Sequence, residues 1–190
     1  LVNLIDFCRL PAVLRQIQFI EPNTSIMKRF LLFVFFLPLI AFGQNVNIPD
    51  ANFKAYLVGN TLINTNGDTE IQVSEAAAVT GVNNAINCGS LNISDFTGIE
   101  AFTALTFLDC SDNQLTSLDL SANTALIDLS CWGNQLTSLD VSTNTALTSL
   151  ICWLNQLTSL DVSGATALTS LSFFDNQVTS LDVSTNTALT

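Results

Sequence analysis

The sequence contains no histidine and few basic residues. Of its 190 residues, 5 are Lys or Arg and 16 are Asp or Glu, and no basic residue follows Lys54. Binding to nucleic acid or to an anionic membrane surface requires a cationic face, which this composition does not provide. Histidine is also the commonest zinc ligand and a frequent general base. The composition therefore excludes a nucleic-acid partner and most histidine-dependent catalysis.

A stretch near the N-terminus has the pattern of a secretory signal peptide. Met27 is the single methionine, and it is followed by Lys28, Arg29 and the 13 apolar residues 30–42. This run is too short to span a bilayer, which takes about 20 residues, but it suits a signal peptide cleaved after Gly43. We expect residues 27–43 to be the signal peptide. The mature protein would then be secreted or held at the cell surface, and it would not be an integral membrane protein.

The rest of the chain divides into three parts. Residues 1–26 resemble nothing that follows, and we expect them to be an untranslated upstream extension rather than a genuine N-terminal extension. Residues 44–95 would form a helical cap and the first strand, and residues 96–190 a repeat region. The sequence stops two residues into a new repeat without a polar cap, so we expect the repeat region to be truncated at its C-terminus.

An internal repeat of 21 residues dominates the second half of the sequence. The blocks LTFLDCSDNQ, LIDLSCWGNQ, LTSLICWLNQ and LTSLSFFDNQ follow one another at this interval. Between them lie LTSLDLSANTA, LTSLDVSTNTA, LTSLDVSGATA and VTSLDVSTNTA. The first half of each unit matches the LxxLxLxxN pattern of leucine-rich repeats, whose period is about 20–29 residues.

Both halves of each repeat alternate between apolar and polar residues, which predicts strands rather than helices. A single coil cannot bury its apolar face alone, so successive coils must stack at about 4.8 Å with their strands in parallel. The sequence therefore predicts a mainly β leucine-rich-repeat solenoid with strands on both faces, preceded by a small helical, EF-hand-like cap. The repeated Asn should turn its amide inward to satisfy backbone groups. The two predicted inner ladders are Leu108, Leu129, Leu150 and Leu171, and Leu118, Leu139, Leu160 and Leu181.

Four cysteines recur at one inner position of the coils. Cys110, Cys131 and Cys152 share that position, and Cys88 lies 22 residues before Cys110. Stacked coils would bring them within disulfide range, and an exported protein permits the bond. However, Phe173 takes this position in the fourth repeat, so the position requires apolar bulk rather than a thiol. We therefore favour buried free cysteines that act as small hydrophobic residues.

Residues 64–75 lie between two predicted helices of the cap. Pro49 and Asp50 begin the first helix, Gly59 ends it, and Ser74 would cap the second. Counted as a 12-residue calcium loop, the segment begins with Asn instead of Asp and lacks the glycine of position 6. We expect a loop that turns the chain, with weak calcium binding as the alternative and no other cofactor. The candidate calcium ligands are Asn64, Asn66, Asp68, Glu70 and Glu75.

The segments IPDANFKAYLVGN and GIEAFTALTFLDCSDNQLTSLD resemble the junction of helical cap and first repeats in internalin-like leucine-rich-repeat proteins. These are secreted bacterial surface proteins that bind other proteins. The resemblance covers roughly residues 47–190, and it implies a cap that shields the first coil and a concave sheet that binds the ligand. The 21-residue period and the strand-like second half of the repeat depart from the family's pattern.

Aromatic residues recur at the position directly after the inner cysteines, and a second outward position lies two residues before them. Three stacked aromatic side chains would form an apolar stripe suited to protein or glycan recognition. The alternative is that the rings fold over the edge of the solenoid and cover the core. The predicted ligand-binding face comprises Trp132, Trp153, Phe174, Asp109, Ser130, Ile151 and Ser172.

A ladder of aspartates is the other outward feature. Carboxylates stacked about 5 Å apart repel by roughly 0.8 kcal/mol per neighbouring pair in water, and a cation would relieve this repulsion. We favour a solvated edge that deters aggregation. Identical carboxylates also lack the differing environments that separate an acid from a base, so we expect no enzyme. The ladder comprises Asp119, Asp140, Asp161 and Asp182.

Taken together, these patterns favour an exported binding module. It would recognise a macromolecule, and above all a protein, through the aromatic-bearing sheet. One alternative is a structural or adhesive spacer that displays a missing C-terminal domain. The other is a glycan-binding surface module in which Trp132 and Trp153 stack on sugar rings.

Overall fold

The computed structural model describes residues 43–81 and 85–190. The predicted upstream extension and nearly all of the predicted signal peptide lie outside these residues. The described cap contains two helices, α1, Ala51–Gly59, and α2, Val73–Ala77, and a 3₁₀ helix, Ile99–Ala101, leads into the repeats. Within residues 43–81 and 85–190, no helix is long and apolar enough to cross a membrane.

Asp50 fixes the start of α1 and also joins the cap to the repeats. One carboxylate oxygen accepts hydrogen bonds from the backbone N–H groups of Asn52 and Phe53, each at 2.9 Å, as an N-cap residue does. The other oxygen accepts from the backbone N–H and the hydroxyl of Ser94, at 2.9 and 3.0 Å. Phe53 and Leu57 form the buried face of this helix.

The second helix begins one residue earlier than its predicted cap. Its N-cap is Gln72, so the prediction that Ser74 caps this helix is wrong. The reason is a capping box, in which the Glu75 side chain accepts a hydrogen bond from the Gln72 N–H at 3.1 Å. A carboxylate three residues into a helix competes well for this role.

The repeats form a solenoid with one sheet from each half of the repeat. Sheet 1 contains five parallel strands: β1, Ile86–Asn87; β2, Phe107–Asp109; β3, Asp128–Ser130; β5, Ser149–Ile151; and β7, Ser170–Ser172. Sheet 2 contains β4, Ser138–Asp140, and β6, Ser159–Asp161, also in parallel. Paired strands are shifted by one 21-residue period. This register confirms the predicted mainly β solenoid of 21-residue repeats with strands in both halves.

The inner leucines pack as the period predicts. Leu108 and Leu150 are fully buried, and Leu139 is 3% exposed. In the last coil, Leu171 and Leu181 are only partly buried, because no further described coil packs on them. The N-terminal end differs, since Tyr56 of α1 lies over the edge of β1 and its hydroxyl accepts a hydrogen bond from the Asn87 N–H at 2.8 Å. The cap therefore shields the first strand of sheet 1, and such covering protects an otherwise open edge.

Each repeat asparagine joins its own coil to the preceding one. The Asn134 amide nitrogen donates to the carbonyls of Cys110, in the preceding coil, and Cys131, both at 3.1 Å. Its amide oxygen accepts from the Leu115 N–H at 3.0 Å. The same bonds to both coils recur at Asn113, Asn155 and Asn176. The predicted inward amide is confirmed, and it satisfies backbone groups that the turn would otherwise leave unpaired.

A second asparagine ladder in the other half of the repeat is incomplete. Asn144 donates to the carbonyls of Leu120 and Asn123 in the preceding coil, at 3.1 and 2.9 Å. The third repeat has Gly164 and Ala165 at this turn instead. A Cβ atom at Gly164 would lie 1.7 Å from the Ser142 carbonyl oxygen, so only glycine allows this close approach of two coils.

The cysteines of sheet 1 line the core as free thiols. Cys88, Cys110, Cys131 and Cys152 are fully buried and form no disulfide. Burial raises the pKa of the Cys88 and Cys152 thiols to about 12, because it penalises the thiolate. The preference for buried free cysteines is therefore confirmed.

Replacement of Asn134 by Ala should lower the stability of the solenoid by about 2–3 kcal/mol. The reason is that buried backbone groups of two coils lose their partners. Urea unfolding followed by circular dichroism measures this loss. Gln135→Ala, at an exposed neighbouring position, is the matched control and should change stability by less than about 0.5 kcal/mol. Equal effects of the two substitutions would contradict the role given to Asn134.

The four core thiols should resist labelling in the native protein and react once it unfolds. Both burial and a raised pKa keep them from forming reactive thiolates. Alkylation with and without denaturant, in the absence of reductant and with the labelled cysteines located by mass spectrometry, checks this. If any two of the four stay unlabelled in the unfolded protein, a disulfide must be present.

Candidate binding face

Sheet 1 presents a ladder of outward side chains beside the buried leucines. Asp109 pairs in register with Ser130, Ser130 with Ile151, and Ile151 with Ser172. All four side chains are half-buried. These residues were predicted to share one face, and the parallel register places them on it.

The three aromatic residues lie just beyond the ends of the strands and form a column. The rings of Trp132 and Trp153 are parallel within 1°, with centroids 4.6 Å apart. The rings of Trp153 and Phe174 lie within 7° of parallel, with centroids 5.1 Å apart. The two tryptophans are half-buried, and Phe174 is 58% exposed. The predicted stack is therefore present, and it leaves part of each ring open to solvent.

This geometry uses the flat faces of the rings within the column. Both faces of Trp153 are covered, one by Trp132 and one by Phe174. The partly exposed atoms of Trp153 therefore belong to its edge. A ring edge supplies apolar contact area to a partner, whereas a sugar ring stacks on an open aromatic face.

The column does not extend into the first repeat. Ser111 takes the aromatic position there, and it is 5% exposed. Its hydroxyl donates a hydrogen bond to the Asp109 carboxylate at 2.5 Å, and its backbone N–H donates to the same oxygen at 3.0 Å. The face therefore changes from polar at β2 to apolar at β5 and β7.

The sequence analysis missed Leu154, which directly follows Trp153. Leu154 is 50% exposed and has a φ of 53°, in the left-handed region. The same position holds Asp112, Gly133 and Asp175, residue types that tolerate this conformation better than leucine does. An apolar residue at a position where the other repeats have Asp or Gly was the available signal. With Trp132, Trp153, Phe174 and Ile151, Leu154 forms what we call the apolar patch.

The aspartate ladder lies in the other half of the repeat and closes local turns. The Asp119 carboxylate accepts a hydrogen bond from the Ser121 N–H at 2.9 Å, and this bond lowers the pKa of Asp119. Asp161 and Asp182 make the same bond to the residue two positions on, and their pKa values are lowered for the same reason. Asp140 also makes this bond. The ladder therefore has a structural role in every repeat.

The loop of the candidate calcium ligands is closed by its own hydrogen bonds. One Glu75 oxygen accepts from the Thr65 N–H at 2.7 Å and from the Asn66 N–H at 3.1 Å. The Asp68 carboxylate accepts from the Glu70 N–H at 2.7 Å, while the Glu70 side chain pairs with Lys54 at 2.7 Å.

Asn64 completes this network, since its amide oxygen accepts from the Gly67 N–H at 3.0 Å. The candidate ligands thus lie in one loop, but their oxygens accept bonds from the loop itself. A cation would have to displace these donors. In residues 43–81 and 85–190, no group of three or more acidic, cysteine or histidine side chains is placed to hold a metal ion.

No protein-family model matches the sequence, and no curated protein matches it. Solved structures do match. The functional domain of InlJ from Listeria monocytogenes, which includes a cysteine ladder, is 41% identical with a TM-score of 0.68, over 78% of this chain and 32% of that one. The internalin InlF of Listeria monocytogenes is 20% identical with a TM-score of 0.54, over 75% of this chain and 48% of that one. A leucine-rich-repeat protein of Leptospira interrogans is 23% identical with a TM-score of 0.50, over 52% of this chain and 27% of that one.

The fold and the 21-residue period define the described residues as a leucine-rich-repeat solenoid. This chain spans less than half of each of the three structures. The likeness to InlJ goes beyond the fold because of its 41% identity, and both chains carry a series of cysteines. The chain is therefore an internalin-like leucine-rich-repeat protein.

The buried carboxylate of Glu75 should make the cap sensitive to acid. Burial alone would raise the pKa of Glu75, but hydrogen bonds from Gln72, Asn66 and Thr65 outweigh it and lower the pKa. A lowered folded-state pKa gives stability that is present above the unfolded value of about 4.3 and is lost as the pH falls through the folded value. Thermal unfolding at pH 7 and at pH 3 should therefore show that Glu75→Gln loses stability at pH 7 and depends less on pH than the wild type.

Glu70→Gln is the matched control for this experiment. Glu70 forms a partly exposed ion pair with Lys54, and such pairs contribute about 0–1 kcal/mol. If both substitutions changed the pH dependence equally, the account of Glu75 would be wrong.

Proposed function

We propose that this protein is an exported module that binds another protein through the apolar patch and the neighbouring face of sheet 1. The observation that carries the proposal is the column of Trp132, Trp153 and Phe174, which the fold holds rigidly at the surface. Rigid aromatic side chains supply contact area at low cost in conformational entropy, and they dominate the energetics of protein interfaces. The internalin-like fold supports the same class of function.

The shape of the column favours a protein partner over a glycan. A glycan module would need Trp132 and Trp153 to present flat ring faces, but these two rings lie face to face. Leu154 adds a further exposed apolar side chain beside them, and it keeps a left-handed backbone that leucine adopts at a cost of about 1–2 kcal/mol. Exposed apolar side chains gathered beside one another are typical of a protein-binding surface.

Export is part of this proposal, and its support comes from the sequence. The basic pair and apolar run of residues 27–43 have the form of a signal peptide. The similarity to internalins favours secretion or attachment at the cell surface.

We also propose that the protein is not an enzyme. The most regular carboxylates, Asp119, Asp161 and Asp182, all make the same hydrogen bond and have pKa values lowered in the same way. Acid–base catalysis by a carboxylate pair needs environments that move the two pKa values apart.

Removing the exposed apolar side chains should abolish protein binding while the fold persists. We expect wild-type protein to bind specific members of an array of immobilised proteins, and Leu154→Ala/Phe174→Ala to bind them at least tenfold more weakly. The matched control is Leu62→Ala/Ile127→Ala, which removes two side chains of similar exposure, 57% and 41%, away from the patch. Circular dichroism verifies that both variants are folded.

Other outcomes of this experiment decide against the proposal. A signal on a parallel glycan array that only the Leu154/Phe174 variant loses would favour a glycan-binding module. Binding that both double variants lose equally would contradict a role for the patch. No specific binding on either array would favour the structural spacer.

The loop of residues 64–75 is proposed to turn the chain and to bind calcium no more tightly than the millimolar range. Its support is the set of internal hydrogen bonds that already use the oxygens of Asn64, Asp68 and Glu75. Isothermal titration with CaCl₂ at micromolar protein should give no heat of binding with the wild type or with Glu75→Ala. A dissociation constant of about 10⁻⁵ M or tighter in the wild type, lost in Glu75→Ala, would contradict this.

A further inference from the structure

The outward surface of sheet 1 consists of two chemically different halves. Its outward positions form two ladders, one through Phe107, Asp128, Ser149 and Ser170 and one through Asp109, Ser130, Ile151 and Ser172. The carboxylates lie on β2 and β3, and the apolar patch begins at β5. Carboxylates and apolar side chains thus alternate along the stacking direction of the coils and not across it.

The distance between the two halves follows from the register. Asp109 and Ile151 belong to one ladder and are two coils apart. Neighbouring strands lie about 4.8 Å apart, so the Asp109 and Ile151 positions are separated by about 10 Å. A partner that contacts the apolar patch therefore also passes close to the carboxylates.

No positive charge of the chain offsets these carboxylates. The sequence has no Lys, Arg or His after Lys54, and Lys54 pairs with Glu70 in the cap. Asp109 accepts hydrogen bonds from Ser111, which are neutral donors. The negative potential of this half of the face is therefore available to a partner, and complementary charges fix the register of an interface and steer its formation.

We propose that the partner surface is a cationic, amphipathic polypeptide segment. It carries a Lys or Arg that contacts Asp109 and Asp128, and an apolar side chain, about 10 Å away, that packs on Ile151, Trp153 and Leu154. This rests on the proposed protein-binding function and names the chemistry of the partner. Acidic segments are excluded from this face because like charges brought together at an interface are repelled.

A random library of 12-residue peptides displayed on phage tests the proposal. The library is selected on the purified wild-type protein at about 0.15 M salt, where long-range attraction between exposed charges is screened. The enriched peptides are then synthesised, and their affinities are measured by fluorescence anisotropy against four forms of the protein. These are the wild type, Asp109→Asn/Asp128→Asn, Leu154→Ala/Phe174→Ala, and the charge control Asp119→Asn/Asp161→Asn.

The asparagine pairs are closely matched. Each removes two negative charges, and asparagine keeps the side-chain oxygen that closes the turns at Asp109, Asp119 and Asp161. We expect enriched peptides that contain both Lys or Arg and an apolar residue. Their binding should weaken about fivefold or more in the Asp109/Asp128 variant and less than about twofold in the charge control.

The outcomes separate this inference from the proposed function. Enriched peptides without basic residues, or equal weakening by both asparagine pairs, would overturn the inference. If such peptides still lost binding in the Leu154/Phe174 variant, the proposed function would stand. Peptides that bind independently of the Leu154/Phe174 substitutions, or no enrichment at all, would overturn both.

Discussion

The hydrogen bonds of one asparagine per repeat are the interaction on which the solenoid depends. A tight turn inside a stacked coil leaves backbone N–H and carbonyl groups with no partner in their own strand. Asn134 and its equivalents supply that partner to the same coil and to the coil before it. The turn can therefore stay buried, and two coils are held at a fixed register.

Once the register is fixed, every position of the repeat becomes a ladder. The same shift of 21 residues places Leu129 on Leu108, Cys131 beside Cys110, and Trp153 on Trp132. The stacked column is thus not an additional feature of the fold but a consequence of having aromatic residues at one repeat position. Function can then be changed by substitutions at outward positions, while the asparagine and the inner leucines stay the same.

The repeat period allowed much of the fold to be predicted. A strict 21-residue period determines which side chains are buried and which residues become neighbours, so the leucine ladders, the inward asparagine and the free cysteines followed from spacing. Phe173 at a cysteine position was informative because it required bulk rather than a thiol. The members of the aromatic column followed in the same way.

Features that depend on local conformation could not be predicted in this way. The left-handed backbone of Leu154 depends on the shape of the turn between Trp153 and Asn155 and not on the residue's own preference, which is against it. The N-cap of α2 was misplaced because Glu75 reaches back to Gln72. Whether the rings would present faces or edges depended on their χ angles. These angles follow from packing between coils, which a pattern of residue types does not specify.

The central claim is that the aromatic column is rigid and partly open to solvent, and acrylamide quenching of tryptophan fluorescence tests it most directly. Trp132 and Trp153 are the only tryptophans in the chain, so all of the emission comes from the column. The account predicts emission at a longer wavelength than that of a core tryptophan, together with clear quenching by acrylamide. Blue-shifted emission that acrylamide does not quench would place both rings in the core and would contradict the account.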